Sequence, residues 1–398
     1  MLAYSFYEAD NRVIRYAETL AACGNCVDVI SLRQPRQKSA ETINQVNIFR
    51  IQERARDEKS AWAHLARTLA FFVKAMIWLT RRHWKNRYDF VHVHSMPDFL
   101  VFAAWFPRIT GSALLLDIHD LLPEFHQAKF GARKGSWISR ALLLEEWLCA
   151  HFAHHVIIAN HLWFDVITQR SVPQARCTVL MNSPDRSLFS RVSHRRADDH
   201  NHKFVLLYPG SLNHHQGLDL AIQAIHELRH NLPHLELRIC GSGPARESLR
   251  ELARSLHLEG QVVFLEPRAI WEIPRLMQDA DAGIVPKRGD SFGNEAFSTK
   301  VLEFMAMGVP VIVADTRVDR FYFNTSVVRF FLSGNAESLA ESIKTLAEDP
   351  PLCKYLARNA LDFVKRNDWD TNKHTYLALV DRLTQSESPA LAASANTL

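Results

Sequence analysis

Residues Ser291–Asp315 read S-F-G-N-E-A-F-S-T-K-V-L-E-F-M-A-M-G-V-P-V-I-V-A-D, and this stretch decides the fold. It predicts a loop, a short helix and a buried strand. Ser298 or Thr299 can cap the helix, because a hydroxyl oxygen accepts one of the free N–H groups of a first turn. Gly308 can end it at positive φ, and Pro310 bars continuation. Val309, Val311, Ile312, Val313 and Ala314 then form an apolar run without alternation, as in a strand covered on both faces.

Two carboxylates frame this unit, Glu295 in the loop and Glu303 in the helix. If both were helical they would stand ~12 Å apart along the axis, too far to share a group. With Glu295 on the loop they can converge on one elongated ligand. The helix N-terminus between them offers free N–H groups and partial positive charge, which suits a phosphate. Lys300 in the first turn opposes the helix dipole, and a nearby anion would justify it. Two glutamates at this spacing are ordinarily solvated surface. Here the glycine-containing loop, the lysine and the helix-to-strand context together favour a site.

E-x7-E ahead of M-A-x-G-x-P-V-I resembles the signature of glycosyltransferase family 4, retaining enzymes of the GT-B fold, and the likeness runs over nearly the whole chain. It implies an α/β architecture of two Rossmann-like, doubly wound domains facing a central cleft, with the last helix crossing back to the N-terminal domain. It also implies that Glu295 approaches the donor sugar and Glu303 holds the ribose hydroxyls of the nucleotide. The expected divisions are an acceptor-side domain over 1–190, a linker over 191–203 and a donor-binding domain over 204–366. A returning helix over 367–385 and a disordered tail from 386 complete the chain.

Bulk properties agree with two domains, since 398 residues exceed a comfortable single core. The net charge is +4, but roughly +7 of charge falls in the first half and the second half is slightly acidic. A basic face on the first domain could meet an anionic membrane or a phosphorylated acceptor. Nucleic acid is not expected, because no recognition motif accompanies the charge. Six cysteines are scattered, and Cys23-x-x-Cys26 lacks the second pair of a zinc site. No secretory signal opens the sequence, so a reducing cytoplasm is the expected compartment. The resemblance places several residues ahead of the first strand, Met1 to Ser5.

In the first half, Asp10 or Asn11 caps a helix that stops at Gly24. The family's usual glycine pair in this first loop is replaced by Glu8 and Ala9, and Asp10-x-Arg12 resembles a bacterial variant. Residues 54–87 hold nine Lys or Arg among Trp62, Phe71, Phe72, Ile77, Trp78 and Trp84. Arg67 and Lys74 interrupt the apolar run, which excludes a spanning helix of ~20 apolar residues. Two readings stand: a basic amphipathic helix on a membrane, or a helix packed on the sheet with a solvated basic edge. His92 and His94 share one side of a strand, too few for a metal site. Ala113–Glu124 is a buried strand ending in polar residues, where open α/β sheets place ligands. His119 matches the family's histidine near the donor sugar. Asp117, Asp120 and Glu124 surround it and could orient the imidazole or bind acceptor hydroxyls. Residues 127–137 form a candidate acceptor loop. Asn182, Asp185 and Phe189 resemble the family's interdomain N-x-x-D-x-x-x-F.

The second half opens with a strand, the turn Gly210 to Gly217 and a helix. The family places an arginine after the first glycine and a lysine before the second, both on the donor phosphates. Ser211 and Gln216 stand there instead. Lys300, with Lys287 and Arg288, is expected to take over part of that charge. Gly241-x-Gly243 follows a strand without completing a dinucleotide fingerprint. Arg268 lies in a region that relatives hold near the base. Thr316 to Phe323 reads as a loop. Asp279-x-Asp281 carries no metal role, and neither metal nor cofactor is expected. The resulting expectation is a hexosyltransferase taking a UDP- or GDP-sugar as substrate and delivering the sugar to a glycan or lipid-linked acceptor. Its rivals are a sugar-nucleotide epimerase of the same fold and a non-catalytic nucleotide-sugar-binding scaffold.

Overall fold

The β-branched runs of the sequence assemble into two sheets. The computed structural model of the protein describes residues 1–54, 61–130, 135–190, 203–290 and 292–385. Most of the expected linker, part of the candidate acceptor loop and the expected tail lie outside the described residues.

Two compact units result, one of Met1–Asn182 with the chain from Asn372 onward, the other Ser183–Thr371. The first holds β1 (Leu2–Phe6), β2 (Val27–Arg33), β3 (Ala40–Ile43), β4 (Val46–Glu53), β5 (Phe90–His94), β6 (Ala113–Ile118), β7 (His155–Ile158) and β8 (Cys177–Val179). Their order is β3-β4-β2-β1-β5-β6-β7-β8. Only the β3–β4 pair is antiparallel. Strand β3 was not among the expected elements. It turns into β4 through Asn44 and Gln45, both at positive φ, a two-residue hairpin turn made without the glycine that normally announces it.

The second unit holds β9 (Phe204–Pro209), β10 (Leu235–Cys240), β11 (Val262–Leu265), β12 (Ala282–Val285), β13 (Val311–Ala314) and β14 (Arg329–Phe331). They run parallel in the order β11-β10-β9-β12-β13-β14. Both faces are covered, so β12 and β13 are buried throughout, which is why the sequence shows continuous runs there.

Each sheet has one point where the strand order reverses. In the first unit it lies between β1 and β5, in the second between β9 and β12. Loops leaving adjacent strands in opposite directions open a crevice at their carboxyl ends. Asp10 and Ser95 follow the first pair, Gly210 and Lys287 the second.

The helix over Ala61–Lys85 is packed on one side by Phe71, Ala75 and Leu79. Tyr4 meets Phe71 at 5.1 Å between ring centroids and Phe49 meets Trp78 at 4.7 Å. Among the described residues, no helix is long and apolar enough to cross a membrane. The expected loop over Thr316 to Phe323 is instead a helix, Arg317–Tyr322. Thr316 caps it by accepting from the Asp319 N–H, a Thr-x-x-Asp signal of the capping-box kind. In the first unit, Tyr376 of the helix over Trp369–Gln385 lies 4.4 Å from Tyr16, ring to ring.

Candidate active site

The deciding stretch folds into a helix over Thr299–Ala306, ended by Gly308 at φ 66° and followed by β13. Ser298 occupies the N-cap position with extended backbone, but its hydroxyl makes no capping bond. Its Oγ is buried without a hydrogen-bond partner. The expectation of a Ser298 or Thr299 side-chain cap is therefore corrected: Thr299 is already helical and Ser298 keeps its oxygen in reserve. A buried orphan hydroxyl costs stability unless a ligand satisfies it.

Lys300 projects from this helix across Gly210, at the end of β9. Gly210 sits at φ 150°, and a Cβ there would collide with the Lys300 side chain. Gly241, at φ 152°, packs so closely that its own Cβ would strike the Gly210 carbonyl. Gly210 thus makes room for the lysine, and Gly241 for the Gly210 backbone. Its Nζ lies 5.3 Å from the centre of the Tyr208 ring, a cation–π seat. Burial lowers the Lys300 pKa, with Glu303 opposing and Lys287 adding to the shift. An ammonium held this way favours an arriving anion.

The other cations are engaged differently from the expectation. Lys287 is buried, 2.9 Å from Asp319 Oδ2, and donates to the Ala296 carbonyl at 2.6 Å. Arg288 is bound to Asp219. Lys287 therefore ties Ala296 to the Arg317–Tyr322 helix, and Arg288 is drawn toward the Leu218–Leu228 helix. Arg268 meets Glu272 at 3.3 Å on the surface. Ser211 exposes its side chain and accepts the Tyr208 hydroxyl at its backbone carbonyl, 2.9 Å away. Gln216 Nε2 lies 2.9 Å from His215 Nε2. Glu295 accepts from Arg317 at 3.0 Å. Glu303 lies one turn beyond Lys300, partly exposed.

The first unit gathers a second constellation. Arg12 grips Asp117 with two hydrogen bonds of 2.7 Å, and both side chains are buried. His94 Nδ1 and His119 Nε2 each lie 3.1 Å from Asp117 Oδ2. The His119 backbone N–H donates to Ser95 Oγ at 3.0 Å. Burial opposes ionisation of Asp117, but Arg12 and His119 hold its pKa well below the carboxylate range. Burial pushes Asp120 up to about 6, against the pull of His119. Asp10 caps the first helix, accepting from the Val13 N–H at 3.2 Å.

Asp117, gripped by Arg12, orients His119, one of the two roles expected of it. One expectation is corrected here: Glu124 does not orient His119. Glu124 is turned to Arg170, which grips it at 2.6 and 2.9 Å while also holding Glu146. His92, His94 and Asp117 place three possible metal-ligand atoms within 4.8 Å, closer than two strand histidines suggested. The Arg12 guanidinium on both Asp117 oxygens occupies that carboxylate and repels a cation, so these residues do not fit a metal. His94, Ser95 and Arg170 were absent from the expected site. Only His94 carried a sequence signal, its two-residue spacing from His92.

Comparison with known proteins fits this geometry. The model described as glycosyl transferases group 1 matches residues 191–363, and that of a glycosyl transferase 4-like domain matches residues 9–183. An uncharacterized glycosyltransferase of Methanocaldococcus jannaschii is 24% identical over 378 residues, 89% of each chain. Sucrose-phosphate synthase of Thermosynechococcus elongatus superposes with a TM-score of 0.80 at 18% identity, over 97% of this chain and 99% of that one. Anabaena HepE in complex with UDP-glucose gives 0.69 at 17% identity, over 98% of both. The chain belongs to the group 1 glycosyl transferases with a 4-like N-terminal domain, and is a glycosyltransferase of GT-B type within the family 4 likeness.

Proposed function

We propose that this enzyme transfers a hexose from a UDP- or GDP-sugar to a glycan or lipid-linked acceptor in cell-surface polysaccharide synthesis, with retention of anomeric configuration. The observation that carries the donor half is the Lys300 seat. Gly210 clears its path, Tyr208 underlies it, and the unsatisfied Ser298 hydroxyl stands at the same helix end.

A nucleoside diphosphate lies against the Ser298–Lys300 turn. As the glycosidic bond lengthens, the diphosphate gains negative charge. Helix N–H groups, Ser298 Oγ and the Lys300 ammonium stabilise that charge where it develops. One lysine thus serves where relatives are expected to use an arginine and a lysine. Glu303 receives the ribose hydroxyls and Glu295 exchanges Arg317 for the donor sugar, roles supported by the family resemblance. His119, aligned by Asp117, takes the role of the family histidine near the transferred group. Gly210, Gly241, Ser211 and Gln216 line the phosphate turn, with Thr299 contributing its N–H. Arg268 approaches the base, and Arg288 reaches the donor by leaving Asp219. The UDP-glucose complex of HepE, similar in fold, supports the choice of donor class.

Asp10, Asp120 and Glu124 belong to the acceptor side by the same resemblance, Glu124 acting there through Arg170. The acceptor arrives at the cytoplasmic face of an anionic membrane, a reading supported by the excess of basic residues in the first half.

Calorimetry with a panel of sugar nucleotides tests this directly. Binding of a UDP- or GDP-sugar is expected, weakened at least tenfold by Glu303→Ala, since a lost hydrogen-bonding carboxylate costs about 1.5–3 kcal/mol. Equal affinity in wild type and variant would remove the assigned role of Glu303.

A further inference from the structure

The helix over Ala61–Lys85 is only half used by the core. Its outer side exposes Leu65, Leu69, Val73 and Ile77, each between 43% and 46% accessible. Their four-residue spacing makes one continuous aliphatic ridge. The next steps along the same line are Arg81 and Lys85, so the ridge runs from apolar to cationic. Trp84 is 78% exposed at that end and stacks on Phe106 at 5.9 Å. Single exposed apolar residues are ordinary, but a ridge of four is not.

Beside the ridge lies a groove of about 570 Å³ between this helix and β4, a volume within the ~300–1,000 Å³ range of small-molecule sites. Its floor is apolar: Phe49, Ile51 and Trp78. Its rim carries Lys74, Arg81 and Lys85. Arg82 also borders it, but is turned to Asp28 at 3.3 Å. None of the three rim cations makes an ion pair with a carboxylate among the described residues. Three uncompensated positive charges around an apolar floor complement one kind of molecule, an amphiphile with an anionic head and a hydrocarbon tail.

We propose that this groove binds a single anionic phospholipid and that the neighbouring ridge lies in the bilayer interface, which deepens the membrane-approach reading above and rests on it. The lipid phosphate meets Lys74, Arg81 and Lys85, and an acyl chain follows Phe49, Ile51 and Trp78. Leu65, Leu69, Val73 and Ile77 enter the headgroup–acyl boundary, with the Trp84 indole at headgroup depth. The first unit is thereby held at the surface from which a lipid-linked acceptor is taken. The positive charges supply attraction to anionic lipid, and the ridge supplies residence.

Flotation with two sets of vesicles tests it, one of equal parts phosphatidylglycerol and phosphatidylcholine, the other of phosphatidylcholine alone. The full-length protein is expected to rise with the first set and not with the second. Neutralising the rim together (Lys74→Gln, Arg81→Gln, Lys85→Gln) should weaken binding to anionic vesicles by on the order of a hundredfold, at about fivefold per cation. Leu69→Ser with Val73→Ser should weaken it with the rim intact. All substituted side chains are exposed, and thermal melting of each variant checks that it folds. UDP affinity by calorimetry should be unchanged in both variants. Failure of the wild type to float, or flotation of the rim variant like wild type, overturns the proposal. So does a dimer in solution that Leu69→Ser with Val73→Ser dissociates, since the ridge would then belong to a second copy. Failure of the wild type to bind any sugar nucleotide, with flotation intact, would count against the donor assignment alone.

Discussion

Lys300 and Gly210 form one device, and at the scale of single residues they should behave as one. Lys300→Met removes the ammonium and should weaken UDP binding about 10–100-fold, the range for a lost charge-assisted contact. Gly210→Ala places a methyl group in the path of the lysine stem and should cost a similar factor by displacing it. The double variant should be little worse than either single one, because residues sharing an interaction are not additive. Isothermal titration of the four proteins measures this, and fully additive losses would separate the two residues. In the first unit, burial lowers the pKa of His94, and of His92 far more. A histidine with a depressed folded pKa protonates first in the unfolded chain. Stability therefore falls as pH drops below about 6.5, with a slope of up to about 1.4 kcal/mol per pH unit for one group. Asp120, raised to about 6, acts with the opposite sign, gaining stability as pH falls. The difference between wild type and His92→Gln isolates the histidine. The melting temperature of wild type should drop more steeply than that of the variant from pH 7 to pH 5, and parallel curves would show that His92 does not titrate on unfolding.

Elements with strong punctuation were readable from sequence. Ser298, Gly308 and Pro310 bracketed the Thr299–Ala306 helix, and the unbroken apolar run behind them is β13. Weakly marked elements were not. Strand β3 is four residues long and turns without glycine, and the Arg317–Tyr322 helix is a turn and a half hidden behind Thr316. That cap also positions chemistry. Thr316 Oγ1 donates to Asp319 Oδ2 at 2.5 Å, and the same carboxylate holds Lys287. Thr316→Ala should destabilise the second unit by about 1–2 kcal/mol, the upper range for a lost cap. Urea unfolding followed at the second unit checks it; an unchanged midpoint would mean that the Lys287–Asp319 pair stands without the cap. Which cations are free was equally hidden in the sequence. Lys287 and Arg288 differ from Lys300 only in their neighbours: Asp319 and Asp219 come from distant positions and no local pattern announces them. The same holds for Glu124, whose partner Arg170 lies 46 residues away.

Across the whole molecule, two sheets, one wholly and one largely parallel, each reverse strand order once, and the polar side chains of both constellations gather at the carboxyl ends of those strands. The two-domain division was legible from the chain length and the family resemblance. What each unit places at its reversal was visible only in part, because Arg12–Asp117–His94 is a contact between three distant segments. The division of labour has a thermodynamic signature. UDP at a hundred times its dissociation constant should stabilise the donor-binding unit by about 2.7 kcal/mol through linkage. Hydrogen exchange should slow at residues 210–217 and 298–303 and remain unaltered along Ala61–Lys85. Protection spread evenly over both units would contradict a nucleotide site built mainly by the second.

The most direct measurement is a crystal structure with UDP-glucose or GDP-mannose bound. The diphosphate is expected within hydrogen-bond reach of Ser298 Oγ and Lys300 Nζ, with the ribose on Glu303. Clear nucleotide density elsewhere, with the Ser298 hydroxyl still unpartnered and Lys300 still lying over Tyr208 alone, would contradict the assignment of this helix end as the phosphate site.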